Sequence, residues 1–145
     1  KIFFPHLHIT LVDSLLKRIN FLDVVIDELS LDNVVTVHAR AEEYGLSERC
    51  KFDIVTARAV ASINVLWEYS MPLLKVSGYF IAMRGTDDSF GLENAFKELK
   101  CDKVKCVSFK LPVENSTRTI ILFRKNGETD KKYPRKNSVI KKYPL

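Results

Sequence analysis

Three apolar, β-branched runs in this chain each lead into a charged side chain. His8-Ile9-Thr10-Leu11-Val12 ends in Asp13, Phe52-Asp53-Ile54-Val55-Thr56-Ala57 in Arg58, and Tyr79-Phe80-Ile81-Ala82-Met83 in Arg84. A fourth run, Val34 to His38, passes into Ala39-Arg40-Ala41-Glu42-Glu43-Tyr44, which reads as a charged loop. A carboxylate at a strand end has two oxygens that accept hydrogen bonds from both hydroxyls of a ribose, whereas the same residue before a helix acts as its cap. The pattern alone leaves these two readings of Asp13 equal. Arg58 and Arg84 place planar, permanently charged donors in equivalent positions. For Arg58 the structural alternative is a salt bridge to Asp53 or Glu42. His6 and His8 stand two apart without further clustered ligands, so they read as surface residues rather than a metal site, and His38 reads as strand-end packing. Cys50, Cys101 and Cys106 are odd in number and lack CxxC spacing, which marks them as reduced packing residues.

The elements that must position these groups follow from periodicity. Between Ser14 and Ser30, Leu15, Ile19, Leu22, Ile26 and Leu29 recur every three or four residues, the spacing of one helix face. Ser62 begins a second helix through Ile63, Leu66, Trp67 and Tyr69, interrupted by Pro72 and stopped by Gly78, with Trp67 in the core. A weaker helix spans about Phe90 to Leu99. Lys1 to Pro5 reads as the end of a helix stopped by proline. Strands alternating with helices imply a parallel sheet, whose strands present their carboxyl ends along one edge. The runs Lys103 to Leu111 and Thr117 to Arg124 are joined by only Pro112 to Ser116, too short for a crossover, and must pair as an antiparallel hairpin. The expected fold is α/β, a mostly parallel, doubly wound, Rossmann-like sheet closed by an antiparallel hairpin, as in the methyltransferase variant of that fold.

At 145 residues the chain is one domain's worth. It has neither an apolar run long enough to cross a bilayer nor a secretory signal pattern, so a cytoplasmic location is expected. The net charge of +5 is uneven: residues 124 to 145 carry eight Lys or Arg against Glu128 and Asp130. The division expected is a domain over 1–125 and a basic tail over 126–145. In that tail Lys-Lys-Tyr-Pro occurs at 131–134 and again at 141–144. An extended arm of this composition suits single-stranded RNA, with lysines on phosphates and Tyr133 and Tyr143 stacking on bases. A merely solvated terminus is the plainer reading.

The stretches LVDSLLKRINFL, RAEEY, FDIVTARAVASINVL, TRTIILFRK and KKYPRK, in that order and spacing, carry a resemblance over nearly the whole chain. It resembles the bacterial 16S ribosomal RNA guanine-N7 methyltransferase G family, also called glucose-inhibited division protein B. The resemblance implies a class I S-adenosyl-L-methionine-dependent enzyme that methylates N7 of a guanosine in 16S ribosomal RNA. It implies Asp13 at the cofactor ribose, Ala41 and Glu42 bordering the adenosine, and Arg58 beside both cofactor and base. Arg40, Arg84 and Arg118 take the family's arginine or lysine positions for RNA, and Lys131, Lys132 and Arg135 extend them into the tail. The implied partner is 16S ribosomal RNA or the small ribosomal subunit, met by a monomer, with neither metal nor membrane.

On the resemblance, the family's first strand and its glycine-rich loop of GxGxGFPGIPL type are expected immediately before Lys1. With that strand missing from the middle of the sheet, two edges are expected to lack partners, and the 145-residue chain alone is expected to be poorly folded and inactive. Transfer of a methyl group from a sulfonium to guanine N7 uses a free lone pair and needs no general base. Arg58 is therefore expected to position the base rather than move a proton. Rival readings are a non-catalytic RNA-binding module, a nicotinamide-dependent oxidoreductase using Asp13 for its ribose, and a small-molecule methyltransferase.

Overall fold

A computed structural model describes residues 1–85 and 93–145. The chain packs as two units, Lys1–Tyr44 and Gly45–Leu145.

In the first unit, β1 (Ile9–Asp13) and β2 (Val34–His38) pair in parallel, from Ile9 opposite Val34 to Asp13 opposite His38. The connecting α1 (Leu16–Glu28) turns Ile19, Leu22, Val25 and Ile26 inward, while Leu15, Leu16 and Leu29 stay exposed. Thr36 of β2 donates its hydroxyl to Asp23 of α1 at 2.6 Å. The helix end expected over Lys1 to Pro5 is absent: one turn, closed by the Phe4 N–H on Lys1 O, stands there without a helical ladder. The expected charged loop is also different. Ala41–Ser47 forms a helix, α2, with Glu42 and Glu43 in its first turn, where the helix dipole favours acids.

The second unit holds β3 (Phe52–Arg58), α3 (Ile63–Ser70), β4 (Leu74–Arg84), α4 (Glu93–Leu99), β5 (Cys101–Lys110), β6 (Thr117–Lys125) and α5 (Asn137–Lys142). Its sheet runs in the order β3-β4-β6-β5, with β3 and β4 parallel and β6 antiparallel to both its neighbours. The expected hairpin is thus present. The expected α4 start at Phe90 falls outside the described residues. Among the described residues β1 pairs only with β2 and β3 only with β4, so the parallel strands form two separate sheets.

Alternation assigns the faces. Phe80, Ala82, Ile121 and Phe123 point into the core, where Trp67 of α3 lies fully buried, its ring 4.6 Å from Phe96 and 4.8 Å from Phe123. Such aromatic contacts add about 0.5–1.5 kcal/mol each beyond the area they bury. Gly78 does not stop a helix, since α3 ends at Ser70 and β4 already begins at Leu74. It is needed where β4 bulges against β3: a Cβ there would lie 2.9 Å from the carbonyl oxygens of both Asp53 and Lys75. Ser62 takes the N-cap position of α3, but its hydroxyl donates to Asn64 Oδ1 at 2.6 Å instead of accepting a backbone N–H.

Candidate functional site

The charged residues collect at the carboxyl ends of the strands in each unit. In the first, Asp13 closes β1. Its Oδ1 accepts the Leu15 N–H at 2.8 Å and its Oδ2 accepts Arg18 Nη1 at 3.1 Å. Partial burial alone would raise its pKa, but the Leu15 N–H and the Arg18 guanidinium outweigh it and hold the carboxyl below its usual value. Asp13 therefore braces the backbone leading into α1 without capping it, since the N-cap position is Leu15 and has no side-chain cap. Each carboxylate oxygen nonetheless has a second lone pair, so bracing the helix and accepting a hydroxyl are compatible. The Ala39 N–H donates to Asp13 O at 3.2 Å, which brings the segment with exposed Arg40, half-buried Ala41 and buried Glu42 beside that acid.

In the second unit the sheet itself gathers three arginines. Arg58 is the last residue of β3, not the residue after it, and lies opposite Met83. Arg84, the last of β4, lies opposite Thr119, so Arg118 near the start of antiparallel β6 reaches the same edge. Arg58 is exposed. Asp53, five residues earlier on the same strand, is about 17 Å away at 3.3 Å per residue. It pairs instead with Lys75 at 2.7 Å. Arg84 donates to Ala61 O at 2.7 Å, which ties β4 to the loop entering α3. Arg118 donates to Thr117 O at 2.9 Å and stands 4.0 Å from Glu114, leaving an adjustable cation at the rim.

The segment 126–145 is not an extended arm. It packs into the second unit through Tyr133, 4 % exposed, and fully buried Ile140, because α3 and α4 offer it two carboxylates. Fully buried Glu68 accepts the Arg135 backbone N–H at 2.7 Å, Nε at 2.8 Å and Nη2 at 2.6 Å. The side-chain hydrogen bond to Glu68 raises the Arg135 pKa against the effect of burial. Glu98 accepts Lys132 Nζ and the Tyr133 hydroxyl, both at 2.9 Å. The Tyr69 hydroxyl donates to Asn137 at 2.7 Å, and Arg49 donates to the carbonyls of Thr129 and Tyr133.

Two expectations change with this packing. Arg135 spends its guanidinium on Glu68 and on Tyr143 O, and Tyr133 is too buried to stack on a base. Lys131 and Lys132 remain on the surface, Lys132 in an exposed pair of the kind worth little. The second copy of the repeat is open: Lys141 and Lys142 are exposed, Tyr143 is 61 % exposed, and Lys142 Nζ stands 5.2 Å from its ring centre. Glu68 was missed by sequence reasoning, although an acid inside the apolar run INVLWEYS signals that a cation must come to meet it.

The family model described as rRNA small subunit methyltransferase G matches residues 1–121. The chain belongs to the rRNA small subunit methyltransferase G family. It is 51 % identical to the ribosomal RNA small subunit methyltransferase G of Lysinibacillus sphaericus and 45 % identical to that of Bacillus licheniformis, matching along all of this chain and 63 % of each relative. The chain thus spans a little under two thirds of the methyltransferase G proteins it matches. Solved structures agree on the fold. A 16S rRNA (adenine(1408)-N(1))-methyltransferase from Catenulisporales acidiphilia superposes with a TM-score of 0.71 at 14 % identity, covering 89 % of this chain and 78 % of that one. The 1,6-didemethyltoxoflavin-N1-methyltransferase of Burkholderia thailandensis gives 0.63 at 13 % identity, covering 83 % and 62 %. The chain therefore has the Rossmann-like α/β methyltransferase fold read from its sequence. No helix among the described residues is long and apolar enough to cross a membrane, and no three His, Cys, Asp or Glu among them are placed to hold a metal ion.

Proposed function

We propose that this protein is an S-adenosyl-L-methionine-dependent methyltransferase acting on N7 of a guanosine in 16S ribosomal RNA, as a cytoplasmic monomer meeting naked RNA or the small subunit. The observation that carries the reading is the convergence of Arg58, Arg84 and Arg118 on one edge of a methyltransferase-type sheet. The cofactor supplies a methyl group already activated on a sulfonium. Asp13 suits its ribose, because a carboxylate with spare lone pairs at a strand end accepts two hydroxyls together. Ala41 and Glu42 border the same place, Ala41 through its backbone. Arg58 directs its planar donors to the guanine and fixes the angle of approach, with no proton to remove. Arg40, Arg84, Arg118, Lys131 and Lys132 neutralise phosphates.

Cofactor binding tests the first half. With the full-length protein, Asp13→Ala is expected to weaken S-adenosylhomocysteine binding by calorimetry about 10- to 100-fold, the loss of a charged acceptor worth roughly 1.5–3 kcal/mol. Undiminished affinity would remove Asp13 from the site. Salt dependence tests the second half. Lys141→Gln with Lys142→Gln should weaken RNA binding, and the slope of log K against log salt should become shallower by about 0.7 per lysine lost. An unchanged slope would leave the second Lys-Lys-Tyr-Pro copy outside the RNA interface.

A further inference from the structure

The structure brings together two groups that the methyl-transfer reading does not use. Lys125, the last residue of β6, is fully buried. Its Nζ donates to Met71 O at 2.8 Å and Leu74 O at 2.7 Å, capping the turn between α3 and β4. Its third donor faces Cys50 Sγ at 3.8 Å. Among the described residues no carboxylate stands within ion-pair distance of this amine, so the sulfur is its closest group able to carry a negative charge. Cys50 itself is exposed, just ahead of β3. Its backbone is held in the left-handed region, at φ 53°, with its N–H on Pro72 O at 2.9 Å. The turn thus fixes the sulfur between solvent on one side and a buried amine on the other.

We propose that Cys50 is a peroxide-reactive thiol paired with Lys125, a site of reversible oxidation to sulfenic acid. The Lys125 ammonium spends two N–H groups on carbonyls and turns the third to the sulfur, where it hydrogen-bonds to the thiolate that attacks, the thiol proton having gone to solvent. Burial pulls the lysine pKa down, and the neighbouring sulfur is the largest influence opposing that fall. The step balances: the thiolate sulfur attacks one peroxide oxygen, the S–O bond forms and the O–O bond breaks, and the departing hydroxide takes from solvent the proton the thiol gave up, leaving as water. Sulfur is oxidised by two electrons and hydrogen peroxide is reduced by two. A second thiol returns the sulfenic acid to the reduced state through a mixed disulfide.

The other two cysteines are internal references. Cys106 is exposed on β5, and Cys101 is buried, with burial and then the charge of Asp102 pushing its thiol up to about 12. The experiment treats the folded protein with dilute hydrogen peroxide, traps sulfenic acid with dimedone, and follows each cysteine by peptide mass spectrometry, native and in urea. Cys50 is expected to be trapped at least about 10-fold faster than Cys106 when folded, with the ratio falling to near one in urea, since a thiol beside a lysine gains its reactivity from that neighbour. Lys125→Met is expected to abolish the native preference. Equal native rates, or a preference that survives in urea, would overturn the proposal. If Lys125→Met does not fold, the native and urea comparison on the unaltered chain still decides it.

Discussion

Arg135→Ala is expected to destabilise the second unit by about 3–5 kcal/mol, because it leaves the carboxylate of Glu68 buried without its cation. The effect should be this large because Glu68 is fully buried and receives four hydrogen bonds from three N–H donors of Arg135, of which only the backbone one survives the substitution. The Tyr143 carbonyl loses its partner too, so the last turn of the chain loosens from the unit. Urea unfolding of the full-length protein measures the change. A second variant separates an unpaired charge from general disruption: Glu68→Leu with Arg135→Met removes both charges at similar volume and should recover most of the loss. A cost below about 1 kcal/mol for Arg135→Ala would place the pair in the surface class and end its role as the anchor of the tail.

Arg58→Ala is expected to lower methyl transfer by about 100-fold or more while S-adenosylhomocysteine binding changes little. Misplacement of a reacting group by about 1 Å costs on that order in rate. The prediction rests on where Arg58 stands. It ends β3, is exposed, and shares its edge with Arg84 and Arg118, whereas Arg84 is tied to Ala61 O and Arg118 reaches back to Thr117 O. Loss should therefore appear in kcat, with RNA affinity falling only by the share of one cation. Arg58→Lys keeps the charge but not the planar fork and should recover RNA binding without recovering rate. Equal losses in RNA affinity and in rate would make Arg58 one phosphate contact among several.

The strands and their charged ends were legible because both signals are local. β-Branched residues marked β2 at Val34 to His38, and the five-residue link from Pro112 to Ser116 required the hairpin. Asp13 was legible as a residue with two alternative roles, ribose acceptor or helix cap, and the structure shows it bracing the backbone at Leu15 instead of capping α1. Pairings across long stretches were not legible. Glu68 and Arg135 are 67 residues apart, and nothing near Arg135 distinguishes it from its basic neighbours. Lys125 entered only as one of the eight basic residues counted over 124 to 145, yet the alternation of β6 turns it inward, onto carbonyls that no local pattern reveals. The helix over Ala41 to Ser47 was hidden because its charged first turn looks like a solvated loop until the dipole of the turn is considered.

The central claim is methyl transfer to a single guanosine. The most direct measurement incubates the full-length protein with methyl-labelled S-adenosylmethionine and small-subunit ribosomal RNA from a strain lacking the activity. The RNA chain is then cleaved at N7-methylguanosine with borohydride and aniline. The account predicts label at one position, with strand cleavage at that same guanosine. RNA binding without label, or label that does not make the chain cleavable, would contradict it.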